Sequence, residues 1–412
     1  MDKITRNILA RNTVWMMVGQ GLRLVTQSAY FVLIARALGK EGFGAFSAVL
    51  ALVAILIPFS GIGSGNLLIK NVSRDTKKFS VYWGNALFMV LTTGLILVGT
   101  TILSYTIFLP NSISIFLVLF IALSDILFMK FIEISGQAFI AFEKMKWTAI
   151  FQLSVSFARL IAGFIVILVY STPTPLTWSI YYLSSTLLIA VLSIVITCKK
   201  ISYPKKDLSK IIPELKEGLY FSIGLSSQSV YNEIDKTMLA KISSLGSAGI
   251  YAAAYRLIDV GFTPIKALLA ASYSKYFQYG SRGIKGTLEL TKKILPLSTG
   301  ITLILSIILY FGAPFAPLVL GNDYEDAVIV IKLLAILPLL KTVHYFAADT
   351  LTGAGYQGTR SLVQILIAML NVILNLILIP EYSLWGAAIA SIISDGLLGI
   401  SLWLIIVIKL KK

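Results

Sequence analysis

Eight basic side chains fall inside long apolar stretches of this sequence: Arg23, Lys130, Arg159, Lys236, Arg256, Lys266, Lys332 and Lys341. A charge at the centre of a bilayer costs roughly 2.5–3.5 kcal/mol on insertion scales. Each of these bases therefore needs a partner, a water-filled cavity or a route to the interface. Lys130 has Glu133, Lys236 has Glu233 and Arg256 has Asp259 three positions away, close enough to share a helix face. Lys266 and Lys332 lie toward helix ends, where a long side chain snorkels to the interface. Arg23, Arg159 and Lys341 have no acid within four positions on their own helices. Unmatched guanidinium groups suit phosphate or carboxylate, because arginine offers a planar fork of donors and never deprotonates. The implied ligand is an anion.

A second set of residues at membrane depth is acidic: Asp125, Glu233, Asp235 and Asp395. These carboxylates either pair with the bases across helices or exchange a proton or Na⁺ against substrate. Asp235 and Asp395 are the candidates for ion coupling. The single histidine, His344, titrates near neutral pH when unperturbed, yet one histidine on an apolar helix is more often packed or hydrogen-bonded. One cysteine, Cys198, allows neither an intrachain disulfide framework nor a cysteine metal cluster, and no metal ligand set or resident cofactor is expected. Gly353-Ala-Gly-Tyr-Gln-Gly358-Thr-Arg lacks the Lys-Ser/Thr end of a P-loop. No catalytic constellation emerges, so the chain reads as a transporter rather than an enzyme.

The elements that must position these residues follow from hydropathy. The chain has 412 residues, 57% hydrophobic and 13% charged, with a mean hydropathy of +0.86. Soluble domains carry about 25% charged residues, so this is an all-α polytopic membrane protein. Twelve stretches reach the roughly 20 apolar residues that a spanning helix needs, starting near Thr13, Phe43, Val81, Ile115, Thr148, Thr177, Gly218, Ala248, Ile294, Ala327, Ser361 and Trp385. The first is read as a retained helix rather than a signal peptide. Sorting the 35 bases by this topology puts 24 on one side and three (Arg36, Lys40, Lys241) on the other. The positive-inside rule then places both termini in the cytoplasm. The net charge of +16 records topology and does not indicate nucleic acid.

The sequence also repeats. Leu38-Gly39-Lys-Glu-Gly42 returns as Leu245-Gly246-Ser-Ala-Gly249, and the same offset of 207 carries Pro173 onto Pro380 and Trp178 onto Trp385. Two six-helix lobes entering from the same side are related by an axis along the membrane normal. The expected organisation is an N-terminal lobe over 1–197, a Lys-rich cytoplasmic linker over 198–217 and a C-terminal lobe over 218–412, enclosing a central cavity that opens by alternating access. Pro58, Pro264, Pro296 and Pro338 are candidate bends, and Gly19 and Gly21 are candidate loosening points in the first helix. Connections on the outer side are short. Only Asp323, Glu325 and Asp326 cluster there, little for a membrane glycan polymerase or ligase. Asn85, Gln152, Gln228 and Asn371 are undirected polar residues, available to the polar groups of a ligand.

Four sets of segments stand in order along the chain: Ile34-Ala-Arg-Ala-Leu-Gly-Lys-Glu-Gly-Phe-Gly44, Asp235-Lys-Thr-Met-Leu-Ala-Lys241 with Gly249-Ile-Tyr-Ala-Ala-Ala-Tyr255, Leu320-Gly-Asn-Asp-Tyr324, and Asn375-Leu-Ile-Leu-Ile-Pro380 with Gly386-Ala-Ala-Ile-Ala390. Together they resemble the polysaccharide-export branch of the multidrug/oligosaccharidyl-lipid/polysaccharide flippase superfamily, the Wzx-type flippases. The resemblance implies movement of undecaprenyl-diphosphate-linked oligosaccharide from the cytoplasmic to the periplasmic leaflet of a bacterial inner membrane, for O-antigen (lipopolysaccharide), capsule or exopolysaccharide assembly. It implies a cationic cavity, coupling to H⁺ or Na⁺, and a polymerase or chain-length regulator as partner. Arg23 and Arg256 sit on the helices where the more distant lipid II flippases also use arginines. The resulting expectation is that Arg23, Arg159, Arg256 and Lys341 bind the diphosphate. The alternative within the superfamily is a cation-coupled multidrug antiporter, which calls for acids rather than excess bases.

Overall fold

In lipid every backbone polar group must be satisfied within the protein, which leaves helices or closed barrels. The computed structural model describes residues 3–207 and 212–411, and those residues form helices and no strand. The chain makes two compact units, Met1–Leu38 with Ala45–Ser229, and Gly39–Gly44 with Val230–Lys412.

In the first unit, α1 (Lys3–Leu56) runs unbroken through Gly19 and Gly21 and departs from helical geometry only at Gly39, with φ of 64°. Gly19 serves packing instead, since a Cβ there would stand 2.8 Å from Ala149 Cβ. α1 ends in a tight turn, Ile57–Phe59, built on Pro58. α2 (Ser64–Val72) and α3 (Phe79–Phe108) follow. α4 (Ile115–Ala122) is capped by Ser114 Oγ and passes through a π-helical turn, Leu123–Phe128, into α5 (Met129–Ala141). α6 (Met145–Val169) precedes α7 (Pro175–Lys200), where Thr174 caps a helix opened by proline. α5 is central and packs on α2, α3, α6 and α7 around Phe79, Trp83, Phe131, Phe139 and Phe151. Leu103 and Leu168 are 85% and 84% exposed, a side-chain orientation that only a lipid surround makes favourable.

The stretch after α7 is an extended strap along the start of α3. Lys205 N donates to the Ser80 carbonyl at 2.7 Å. Asn85 donates to the Asp207 carbonyl at 2.7 Å and accepts from its N–H at 2.9 Å. Asn85 is therefore committed to the strap and is not free for sugar.

The second unit contains α8 from Val230 on (the helix spans Ile212–Ile242), α9 (Leu245–Gly261), α10 (Thr263–Gly280), α11 (Gly283–Gly312), α12 (Ala316–Leu320), α13 (Ala327–Leu334), α14 (Leu337–Gly353), α15 (Gln357–Tyr382) and α16 (Leu384–Leu410). α14 is its centre, packed on α10, α11, α15 and α16. Pro264 and Pro338 each stand at a helix start, where the missing N–H costs nothing, whereas Pro296 lies inside α11. Gly44 and Gly249 lie back to back within this unit. A Cβ on Gly44 would strike the Leu245 carbonyl, and one on Gly249 the Lys40 carbonyl, so the two copies of the repeated motif touch through bare backbone.

The repeat extends to the helix interruptions. The offset of 207 carries Phe128, the end of the π turn, onto Ala335, where α13 breaks before α14. The fourth helix of each half is thus the hub of its unit and is interrupted at the same place. Nine helices among the described residues are long and apolar enough to cross a membrane. The other expected stretches are absorbed into the continuous α1, into α8 with its charged Glu233-Ile-Asp-Lys236 segment, and into α9, only 17 residues long.

Candidate functional site

Arg159 is held on its Nη2 side by several partners in the first unit. Its Nη2 donates to Asp125 Oδ1 at 2.8 Å, to Thr186 Oγ1 at 3.2 Å and to Ser124 Oγ at 3.5 Å. The guanidinium lies 3.8 Å from the Tyr182 ring centroid, and the Tyr182 hydroxyl donates to Asp125 Oδ2 at 2.9 Å. The π turn supplies both Ser124 and Asp125, and such turns recur where a side chain must be re-aimed. With Arg159 only 8% exposed, this is a buried ion pair closed through Nη2, while the Nε donor is buried without a partner. Arg23, half-buried on α1, donates to Gln152 Oε1 at 3.4 Å, which also engages Gln152.

In the second unit, bases and acids of α8, α9, α10 and α14 gather around Tyr255. Lys236 pairs with Glu233 at 2.7 Å and lies 3.9 Å from Asp235. Asp235 accepts from the Tyr251 hydroxyl at 2.6 Å, with Ser391 3.0 Å from that hydroxyl. Asp259 pairs with Lys266 at 2.6 Å, and Arg256 and Lys341 are close enough to act on its charge. Lys341 is 5% exposed and hydrogen-bonds the Tyr255 hydroxyl, with no carboxylate in ion-pair distance among the described residues. The ammonium groups of Lys236 and Lys341 each lie 4.5 Å from the centroid of the Tyr255 ring. Four cations thus share three carboxylates, and Lys341 has none of the three within ion-pair distance. A buried ammonium without a counter-ion is costly, and an anion relieves that cost.

Two more polar groups mark the hub helix α14. His344 Nε2 lies 2.9 Å from Asp395 Oδ1 of α16, both 2% exposed. Asp349, also buried, lies 3.8 Å from Arg360, whose Nη1 donates to Thr352 Oγ1 at 2.8 Å. Nearby, Asn371 donates to Ser394 at 3.1 Å and accepts from Asn375 at 3.0 Å, so it is held within the fold. Among the described residues no group of three or more His, Cys, Asp or Glu is arranged to hold a metal. Sequence reading missed Asp349 and Tyr255. The acid interrupts an apolar helix and was visible as such, whereas a tyrosine among tyrosines carries no signal.

The fold is that of a two-unit helical membrane protein. Its chain trace is similar to an inward-facing multidrug resistance MATE family transporter of the MOP superfamily, with a TM-score of 0.78 and 15% identity over 96% of this chain and 98% of that one. It is equally similar to the lipid II flippase MurJ in an inward closed conformation, with a TM-score of 0.77 and 14% identity over 98% of this chain and 88% of that one. At such identities the likeness establishes fold alone.

Sequence comparison narrows the class. The profile of the polysaccharide biosynthesis protein family matches residues 9–273, more than half of the chain, and the chain belongs to that family. Curated relatives include a putative O-antigen transporter of Escherichia coli (strain K12), 24% identical over 405 residues, covering 94% of both chains. Another is the probable low-salt glycan biosynthesis flippase Agl15 of Haloferax volcanii, 21% identical over 397 residues, covering 94% of this chain and 81% of that one. The resemblance to the polysaccharide-export branch holds in both family and fold.

Proposed function

We propose that this protein moves a polyprenyl-diphosphate-linked oligosaccharide, of the undecaprenyl type, from the cytoplasmic to the outer leaflet of a bacterial plasma membrane for surface-glycan assembly. Membership of the polysaccharide biosynthesis family, and relatives described as a glycan flippase and an O-antigen transporter, support a glycan cargo. The charge split of the loops supports cytoplasmic termini and hence the direction of loading. Alternating exposure to the two sides is the mechanism the reading calls for.

The observation that carries the diphosphate is Lys341. It is buried, faces a phenol instead of a carboxylate, and shares the Tyr255 ring with Lys236 in a cluster with surplus positive charge. In this reading Lys341 and Arg256 take the diphosphate, and Arg159 serves the scaffold because its Nη2 is already bound to Asp125 and Thr186. The same surplus disfavours an exporter of organic cations, since like charge raises the cost of entry.

The test is restoration of surface glycan in cells lacking their own flippase, at matched expression. Lys341→Met should reduce surface glycan at least about tenfold, the effect of losing about 1.4 kcal/mol of binding. It should leave the thermal midpoint unchanged or higher, because it removes an uncompensated buried charge. Full activity of Lys341→Met would overturn the assignment.

A further inference from the structure

His344 and Asp395 form the least satisfied polar contact in the second unit. The two side chains meet at 2.9 Å, but the ring N–H direction misses the carboxylate, and His344 Nδ1, His344 Nε2 and Asp395 Oδ1 are all buried without a hydrogen-bond partner. The Arg159–Asp125 pair differs: hydroxyls of Ser124, Thr186 and Tyr182 bond its charged atoms, although Arg159 Nε also lacks a partner. Nothing comparable completes the His344–Asp395 pair. The ionisable groups facing it are Tyr231 of α8, whose hydroxyl also lacks a partner, Tyr345, Lys341 one turn earlier on α14, and Arg360 of α15. No second carboxylate is among them.

We propose that His344 and Asp395 together bind one proton and exchange it during the transport cycle. With the proton the pair is neutral overall, whether imidazolium faces carboxylate or imidazole faces carboxylic acid. Without it the pair carries one buried negative charge, which is expensive unless a cation answers it. Lys341 is the cation one turn away on the same helix. The deprotonated pair therefore draws on the charge of Lys341, and the protonated pair leaves that ammonium to an anion. Proton and anion then favour each other's binding, and the linkage is reciprocal. A proton fits better than Na⁺, because a hard metal cation collects several oxygen ligands and this contact offers one nitrogen and one oxygen. The use of the site in transport rests on the flippase reading; its existence as a proton site does not.

The chain contains one histidine, so ¹⁵N-histidine labelling of the full-length protein in lipid nanodiscs yields the imidazole of His344 and no other. Whichever group holds the shared proton, its departure leaves Nε2 as the N–H that faces a carboxylate. The Nε2 resonance should therefore change between two forms as pH is raised, with no substrate present. Asp395→Asn should abolish that change and Asp395→Glu should restore it. As a measurement independent of those variants, infrared difference spectra should show a titrating carboxyl band that His344→Gln displaces. A wild-type histidine spectrum that stays constant across the pH range of the folded protein would overturn the proposal, as would a titration left unaltered by Asp395→Asn. Neither outcome touches the flippase reading, which stands or falls on surface glycan.

Discussion

Arg159 and Lys341 are both less than a tenth exposed, yet their surroundings assign them opposite roles. Arg159 has a carboxylate, two hydroxyls and an aromatic face, so removing one member strands the other. Arg159→Ala and Asp125→Asn should each lower unfolding stability by about 3–5 kcal/mol. The double variant should lose less than the sum, because no charge is then left alone. Thermal unfolding in detergent measures this, and strict additivity would show that the two residues do not act as a pair. Sequence spacing identified both residues as lacking a local acid, and Asp125 was among the acids available across helices. Choosing among those acids needed the π turn, which has no signature in a uniformly apolar run. The isolation of Lys341 was legible because it depends on what is absent nearby in sequence. Its contact with Tyr255 was not, because 86 residues separate the two.

Helix breaks govern which side chains face one another. Pro264 and Pro338, read from sequence as bends, instead open α10 and α14, because proline cannot continue the helix before it. Glycine was less legible: Gly19, Gly21 and Gly39 look alike in sequence, but only Gly39 bends the chain, while Gly19 packs against Ala149 and Gly21 meets nothing within 4 Å. These environments predict opposite responses to a single methyl group. Gly249→Ala drives a Cβ into the Lys40 carbonyl and should cost about 1–3 kcal/mol. Gly21→Ala should be neutral or stabilise by about 0.4–1 kcal/mol, since only unfolded-chain entropy changes. Melting curves of the two variants side by side decide it, and equal melting temperatures would refute the packing account. The strap makes a separate demand on α3. Asn85→Ala removes two hydrogen bonds to Asp207, each worth about 0.5–1.5 kcal/mol. Limited trypsin digestion should then cut faster after Lys205 and Lys206, and unchanged cleavage there would mean that other contacts hold the strap.

At the scale of the whole chain, composition and periodicity revealed the helical membrane class and the duplication, because each is a sum over many residues. They could not reveal that one compact unit borrows residues from far upstream. The second unit includes Gly39–Gly44, packed on the start of α9. A fragment covering 230–412 should therefore be more sensitive to protease than the same residues in the full chain, and equal resistance would show those six residues to be dispensable. The arrangement also sets a schedule for biosynthesis. Gly44 leaves the ribosome about 200 residues before Leu245 and Gly249. At about 5–20 residues per second the interval is roughly 10–40 s. Throughout that time a glycine-flanked segment with bare backbone waits in the membrane for a partner not yet translated. Completion of the second unit is thus timed by elongation, and a pause placed between the two copies of the motif prolongs the exposure of the first.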